Sequence, residues 1–467
     1  MTSSPARGIL GSLLLLTTLL AAPAAAQDLD KEGQRPAEGA ANQAAAVQAA
    51  EQAREALPAD AEPTFAQVLA DPDNVELNAR YAQAQIRRGD LKGAAATLER
   101  LLLLAPKRHE LRVLYAAVLY RLDSLGEAQR EFETLRKLDL PAGLRADVED
   151  YLRRIESRRK RTHLTGRVGA GFELDQNRNA APSSGKRLLS GTETILTSDS
   201  RRKEDASSIL LGNLELRREL GGQSGHEAFG GVTYYRAEQT HTRSLNLEAY
   251  SLQGGASLKA PRMSATPTLL FDYVLLAEHK YLRNMGFSLR GDRKFGRSTL
   301  AYAELRHVYQ DYTVTPGIPN AVDRTGAQVD LTLGAERVVA PTLKLGGSLS
   351  SSLKNAGRAY LGFHRTALGG NALRLVGKGR FLLAATTLGF DRYRDSDTAV
   401  SRTRRKDLNL RAGLTFGTPL AFIDPSLKEL LWTTTLEYYH SWSNIQNYAY
   451  TDAKLAGMLT YRWDWGF

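Results

Sequence analysis

The 467-residue chain contains no cysteine. A disulfide scaffold, a thiolate metal site and a Cys nucleophile are therefore excluded, as is a lipid anchor built on a Cys behind a signal-cleavage site. Beyond the N-terminal region no stretch reaches the roughly 18 consecutive apolar residues of a transmembrane helix. His-Glu-x-x-His, Gly-x-Ser-x-Gly and phosphate-binding glycine loops are all missing. The eight histidines are scattered, and single histidines are far more often structural than ligands. No enzyme activity, cofactor or metal is expected. Acidic charge is the scarcer sign, with 51 Asp and Glu against 62 Lys and Arg, a net +11. The basic charges are spread through alternating segments rather than gathered on one helix face, and no nucleic-acid module is recognisable. An interior lined with Arg and Lys, or contact with anionic headgroups, accounts for them as well.

Arg7 precedes an apolar run from Ile9 to Ala22, and Ala24-Ala25-Ala26 forms an A-x-A cleavage pattern before Gln27. Residues 1–26 therefore read as a secretory signal peptide, the run being short and ending in small residues. Residues 27–63 are rich in Ala, Gln and Glu, with Ala37 to Leu57 a solvated helix or a flexible linker.

From Pro72 a repeat begins. Pro72 and Pro106, Tyr81 and Tyr115, Ala94 and Ala128, Leu98 and Phe132 are each 34 residues apart, the tetratricopeptide (TPR) period. The tyrosines fall on the first helix of each repeat and the Ala–Leu or Ala–Phe pairs on the second. Arg88-Gly89-Asp90 and Asp123-Ser124-Leu125-Gly126 supply the turns. A helix from Ala142 to about Arg161 is expected to cap the stack after Pro141, and one near Thr64 to Leu69 to support it, since two repeats alone are marginal. Residues 64–161 thus form a TPR-like helical domain. Gln83, Arg87, Tyr120 and Arg121 are the candidates facing a client in its groove, against the plainer reading that each is a solvated residue. Arg153, Arg154, Arg158, Arg159, Lys160 and Arg161 form a basic run suited to anionic headgroups or a client, or simply a solvated helix face.

At residue 162 the period changes to two. Leu164, Gly166, Val168, Ala170, Phe172 and Leu174 alternate with Thr165, Arg167, Gly169, Gly171, Glu173 and Asp175; similar alternation runs through 329–336 and 407–416. One face suits lipid and the other a wet lumen. About fourteen strands can be counted over 162–467, an even number as bacterial single-chain barrels require. If the helical domain is periplasmic, the long polar connections near 178–205, 314–323 and 395–404 all fall outside, and 417–428 is the one long turn on the inner side. Strand boundaries near 354–380 stay open. In the last strand Tyr461, Trp463, Trp465 and Phe467 share one face, an aromatic girdle that also resembles the terminal signal by which outer-membrane barrels are recognised for assembly. The expected fold class is therefore α + β multidomain: TPR-like helices, then a transmembrane antiparallel β-barrel in the outer membrane.

This combination resembles the surface lipoprotein assembly modulators (Slam) of Gram-negative bacteria. The likeness is carried by Gly169-Ala170-Gly171-Phe172-Glu173-Leu174-Asp175-Gln176-Asn177-Arg178-Asn179, similar to the family's Gly-rich strand with an Asp–Asn-rich end. It continues in Ser441-Trp442-Ser443-Asn444-Ile445 and Tyr448-Ala449-Tyr450-Thr451-Asp452; the family's more usual Arg has no clear counterpart between Asp452 and Lys454. The resemblance implies a monomeric translocator without cofactor. It would deliver surface lipoproteins, or secreted proteins of the heme- and iron-acquisition type, across the outer membrane. Its partners would be the client, the barrel-assembly machinery and outer-membrane lipid. The competing readings are a TPR-barrel porin for exopolysaccharide export, which usually carries many more repeats, and a passive solute porin, which needs no helical domain.

Overall fold

The computed structural model describes residues 63–220, 225–296 and 298–467; the expected signal peptide and nearly all of the expected linker lie outside them. The chain divides into two compact units with a boundary between Arg161 and Thr162.

Among the described residues the first unit holds six helices: α1 (Phe65–Ala70), α2 (Val75–Arg88), α3 (Leu91–Leu104), α4 (His109–Arg121), α5 (Leu125–Arg136) and α6 (Ala142–Arg159). Local chemistry fixes their ends. Thr64 and Gln67 form a capping box on α1, and Asn74 accepts the Leu77 N–H at 3.0 Å to start α2. Gly89, at φ +83°, ends α2 in the left-handed conformation that glycine adopts without strain. Asp90 then caps α3 by accepting the Gly93 N–H at 3.0 Å. A Cβ on Gly93 would stand 2.2 Å from Asp90 Oδ2, so this cap needs glycine three residues on.

The repeat positions read from the sequence form the core: Ala94, Leu98, Ala128 and Phe132 are each 0 % exposed. Small residues at Ala94 and Ala128 let the helices approach, and Leu98 and Phe132 fill the space between them. The expected third segment is α6. Its Tyr151 ring stacks on Phe132 with centroids 4.7 Å apart, and Val148 and Ile155 are buried with it. At the other end Phe65 of α1 lies against Tyr81 with centroids 6.3 Å apart. Terminal helices thus cover surface that two repeats would leave bare. Phe132→Ala removes a fully buried ring and the partner of Tyr151, at an expected cost of about 3–5 kcal/mol. Hydrogen exchange on the full chain should show α5 and α6 losing protection while the barrel keeps its own.

The second unit begins with β1 (Thr162–Asp175), followed by a separate hairpin of β2 (Lys186–Leu189) and β3 (Thr192–Ile195). The remaining strands are β4 (Asp205–Glu219), β5 (Glu227–Gln239), β6 (Leu247–Lys259), β7 (Met263–Leu276), β8 (His279–Phe295), β9 (Thr299–Tyr312) and β10 (Gly326–Ala340). They continue with β11 (Leu343–Lys354), β12 (Phe363–Leu375), β13 (Phe381–Tyr393), β14 (Lys406–Pro419), β15 (Leu430–Ser443) and β16 (Tyr450–Gly466). Strands β4 to β16 are joined in sequence order, and β1 closes the barrel between β4 and β16, giving fourteen strands. The region left open by the sequence resolves into the end of β11, all of β12 and the turn before β13.

Connections 176–204, 313–325 and 394–405 share one end of the barrel, here the far end, as their spacing predicts. The near end holds the start of β1 and the one long inner turn, 420–429. Around the barrel, outward-facing large apolar side chains are exposed, as with Leu331 and Leu333 on β10 at 45 % and 49 %. A closed barrel satisfies its backbone internally, and an apolar outer belt is what hydrocarbon requires. Among the described residues no helix is long and apolar enough to cross a membrane; the strands are the crossing elements.

Candidate functional site

On the helical unit, Gln83 and Arg87 stand four residues apart on one face of α2, half-buried and exposed respectively. Arg121, also exposed, takes the place of Arg87 one repeat later on α4. Tyr120 is turned elsewhere: its ring meets Tyr151 edge-on at 5.4 Å and belongs to the packing of α6. Within the basic run, Arg153 and Arg154 both reach Asp150, at 3.3 and 2.6 Å, so part of that charge is used on the helix itself. The side chains of Arg158 and Arg159 lie outside the described ones. A cleft of about 530 Å³ that sequence reasoning did not single out opens between α3, α4 and α5, with Tyr115, Leu119, Glu99, Glu127 and Glu131 among its walls. Burial, then the carboxylates of Glu99, Glu127 and Glu131, push the Tyr115 hydroxyl above its ordinary range.

In the barrel the two sequence motifs meet. Alternation along β1 sends Glu173 and Asp175 inward, and alternation along β16 does the same for Asp452 and Lys454. Because β1 and β16 are neighbours in the closed sheet, these four side chains converge at the far end of the seam, joined by Arg178. Lys454 Nζ lies 2.8 Å from Asp175 and 3.6 Å from Glu173, and Arg178 Nη1 lies 2.9 Å from Glu173 and 3.3 Å from Asp175. Asn177 ties the strand ends together. Its backbone N–H donates to Asp175 and Asp452 at 2.8 and 3.1 Å, and its side-chain amide donates to the Thr451 carbonyl at 2.9 Å. All of these groups are buried.

Further round the far wall, Arg365 makes a bidentate pair with Asp391, both contacts 2.6 Å. Asn409 donates to Asp391 at 3.1 Å and accepts from the Tyr439 hydroxyl at 2.9 Å. Arg405 pairs with Asp407 and lies 3.7 Å over the Tyr448 ring and 4.3 Å over Tyr393. Those carboxylates are shut from solvent, with Asp391 and Asp407 each 1 % exposed. At the near end the inward Arg217 side chain is 49 % exposed and reaches Glu227 at 3.6 Å.

The lumen also carries an apolar plug. Ile209, Leu211, Tyr235, Leu247, Ala249, Val274 and Leu276 face inward from β4 to β7 and form one buried cluster with Ile318 and Ala321 of the 313–325 connection. The sequence places this connection at the far end, where it is found. Part of it, however, turns back into the lumen, because the inward positions of β4 to β7 are apolar and need cover. Thr315 and Ile318 exchange backbone hydrogen bonds around Pro316-Gly317, a tight turn that presents Ile318. Among the far-end connections, the β2–β3 hairpin is held by the Ser190 and Gly191 N–H groups donating to the Ala399 and Val400 carbonyls at 2.8 and 2.9 Å. Asn447 also exchanges two hydrogen bonds with the Leu188 backbone.

At the near end Tyr461, Trp465 and Phe467 are exposed. Trp463 lies over Gly166 of β1, where a Cβ would come within 2.0 Å of the indole.

No protein-family model matches the chain, and no curated protein matches it. Similar solved structures include the second TPR domain of human RPAP3 in complex with an HSP70 peptide, at 22 % identity and TM-score 0.18, covering 19 % of this chain and 72 % of that one. A bacterial polysaccharide outer membrane secretin is similar at 8 % identity and TM-score 0.34, covering 65 % of this chain and 99 % of that one. The outer membrane channel DcaP of Acinetobacter baumannii is similar at 10 % identity and TM-score 0.36, covering 65 % of this chain and 97 % of that one. The class follows from the chain's own geometry. It is a TPR-like helical unit followed by a transmembrane barrel of the outer-membrane type, closed by fourteen antiparallel strands.

Proposed function

We propose that the protein is an outer-membrane translocation or assembly factor. It would deliver surface lipoproteins, or secreted proteins of the heme- and iron-acquisition type, across that membrane, the role implied by its resemblance to the surface lipoprotein assembly modulators. The observation that carries this reading is the far half of the lumen, where an apolar plug packs against β4 to β7 and buried carboxylates are held in ion pairs. A solute porin works with a lumen that stays open, whereas a conduit for large clients must stay shut between passages. The helical unit precedes β1, whose start is at the near end, and in this reading both face the periplasm. Gln83, Arg87 and Arg121 would meet the client there, and the outward aromatics of β16 would serve recognition by the barrel-assembly machinery.

The test is co-expression with a candidate client from a neighbouring gene in a heterologous host, scoring protease accessibility of that client on intact cells. Exposure should depend on this protein and disappear when residues 64–161 are deleted. Unchanged exposure with the barrel correctly inserted would overturn the reading in favour of polysaccharide export or solute passage.

A further inference from the structure

The far half of the lumen contains a cation that the seam cluster does not explain. Lys354, the last residue of β11, is 5 % exposed. Its ammonium donates to Gln310 Oε1 at 2.7 Å and to the Gly326 carbonyl at 3.1 Å, and lies 5.8 Å from the Tyr312 ring centroid. All three partners are neutral. Among the described residues no carboxylate stands within 4.0 Å of it, in contrast to Lys454, which is surrounded by carboxylates. Arg324, at the foot of the plug segment, is close enough to Tyr312 and Tyr281 to act on both electrostatically. Two cations therefore flank the tyrosine pair, whose rings meet edge-on at 5.4 Å.

Taking an ammonium out of water without an opposite charge is costly. Two neutral acceptors leave one of its three N–H donors for a further partner. We propose that Lys354 is the centre of an oxyanion-binding subsite in the far half of the lumen, taking a carboxylate or phosphate group. Its two fixed acceptors orient the ammonium, so the remaining donor and the uncompensated charge are presented to an incoming anion. A bound oxyanion would take the remaining donor and supply the opposite charge that Lys354 lacks at the end of β11. This inference concerns the lumen's chemistry and stands whether the cargo is a protein, a polysaccharide or a solute.

The experiment uses the full mature chain, folded in detergent, with sodium phosphate and sodium acetate as probes at matched ionic strength. Heat-modifiable gel mobility reports barrel unfolding. At saturating anion the unfolding temperature of the parent protein should rise by about 3 °C or more. Lys354→Met should abolish most of that rise and Lys354→Arg should retain it. A response to acetate identifies a side-chain carboxylate as the natural ligand type, and a response confined to phosphate identifies a phosphorylated group. An equal rise in the parent protein and Lys354→Met would mean an adventitious ion only and would overturn the proposal, as would no rise in the parent protein. Should Lys354→Met fail to fold, Lys354→Gln, which keeps a polar head without charge, takes its place.

Discussion

Lys454→Met is expected to weaken the barrel by about 3–5 kcal/mol, because it strips a buried cation from carboxylates that stay buried. Glu173, Asp175 and Asp452 all lie within 4.0 Å of the Lys454 ammonium. Among the described residues only Arg178 then remains in ion-pair contact with them, at Glu173 and Asp175. The loss falls on the β1–β16 seam, the one closure in the barrel made between strands from opposite ends of the domain. Gel mobility of the folded form should show the transition moving to a markedly lower temperature. Combining Lys454→Met with Asp175→Asn removes one stranded carboxylate and should recover part of the loss, a coupling that a double-mutant cycle measures. Additive losses would show that the two groups do not act as a unit.

The second large effect is on passage. Ile318 is 2 % exposed within the lumenal cluster. Ile318→Asp sets a carboxylate in the apolar cluster that also holds Leu247 and Val274. Even a penalty of ~2 kcal/mol shifts the ratio of unplugged to plugged barrels by roughly 30-fold. Planar-bilayer recordings should then show frequent long-lived conducting states where the parent barrel is mostly silent. Conductance unchanged by Ile318→Asp, in a barrel with normal heat-modifiable mobility, would mean that the 313–325 segment does not control the lumen.

The chain's architecture was legible because both of its periods are written in side chains. Ala94, Leu98, Ala128 and Phe132 mark the helical repeat and are wholly buried. The alternation around Leu331 or Leu408 marks strands whose apolar face meets lipid. Glu173, Asp175 and Lys454 could be assigned to an inner face in the same way. Their meeting could not, since it depends on closure bringing β1 beside β16. Among the groove candidates, Tyr120 illustrates the limit of register: its position on α4 is clear, but its ring is claimed by Tyr151, a residue outside the repeat. The plug was hidden by its composition, because Thr315-Pro316-Gly317-Ile318-Pro319-Asn320 reads as an ordinary polar loop. Its signal lay on the opposite wall. Ile209-Leu210-Leu211 and Val274-Leu275-Leu276 interrupt the alternation with apolar residues on both faces, which a water-filled lumen does not call for. Lys354 gave no signal at all, because the lack of a counter-charge is a property of its neighbours in space.

The clasp of the β2–β3 hairpin has a consequence for sequence change. Ser190 and Gly191 hold Ala399 and Val400 through main-chain groups, so this part of the clasp does not depend on which outward side chains the two segments carry. In the proposed orientation these are the parts of the molecule that antibodies and phages meet first. Such a contact tolerates change in the outward side chains, provided the turn keeps Gly191 at its φ of +83°. Variation at the tip and constancy of the main-chain clasp are then compatible within one short hairpin.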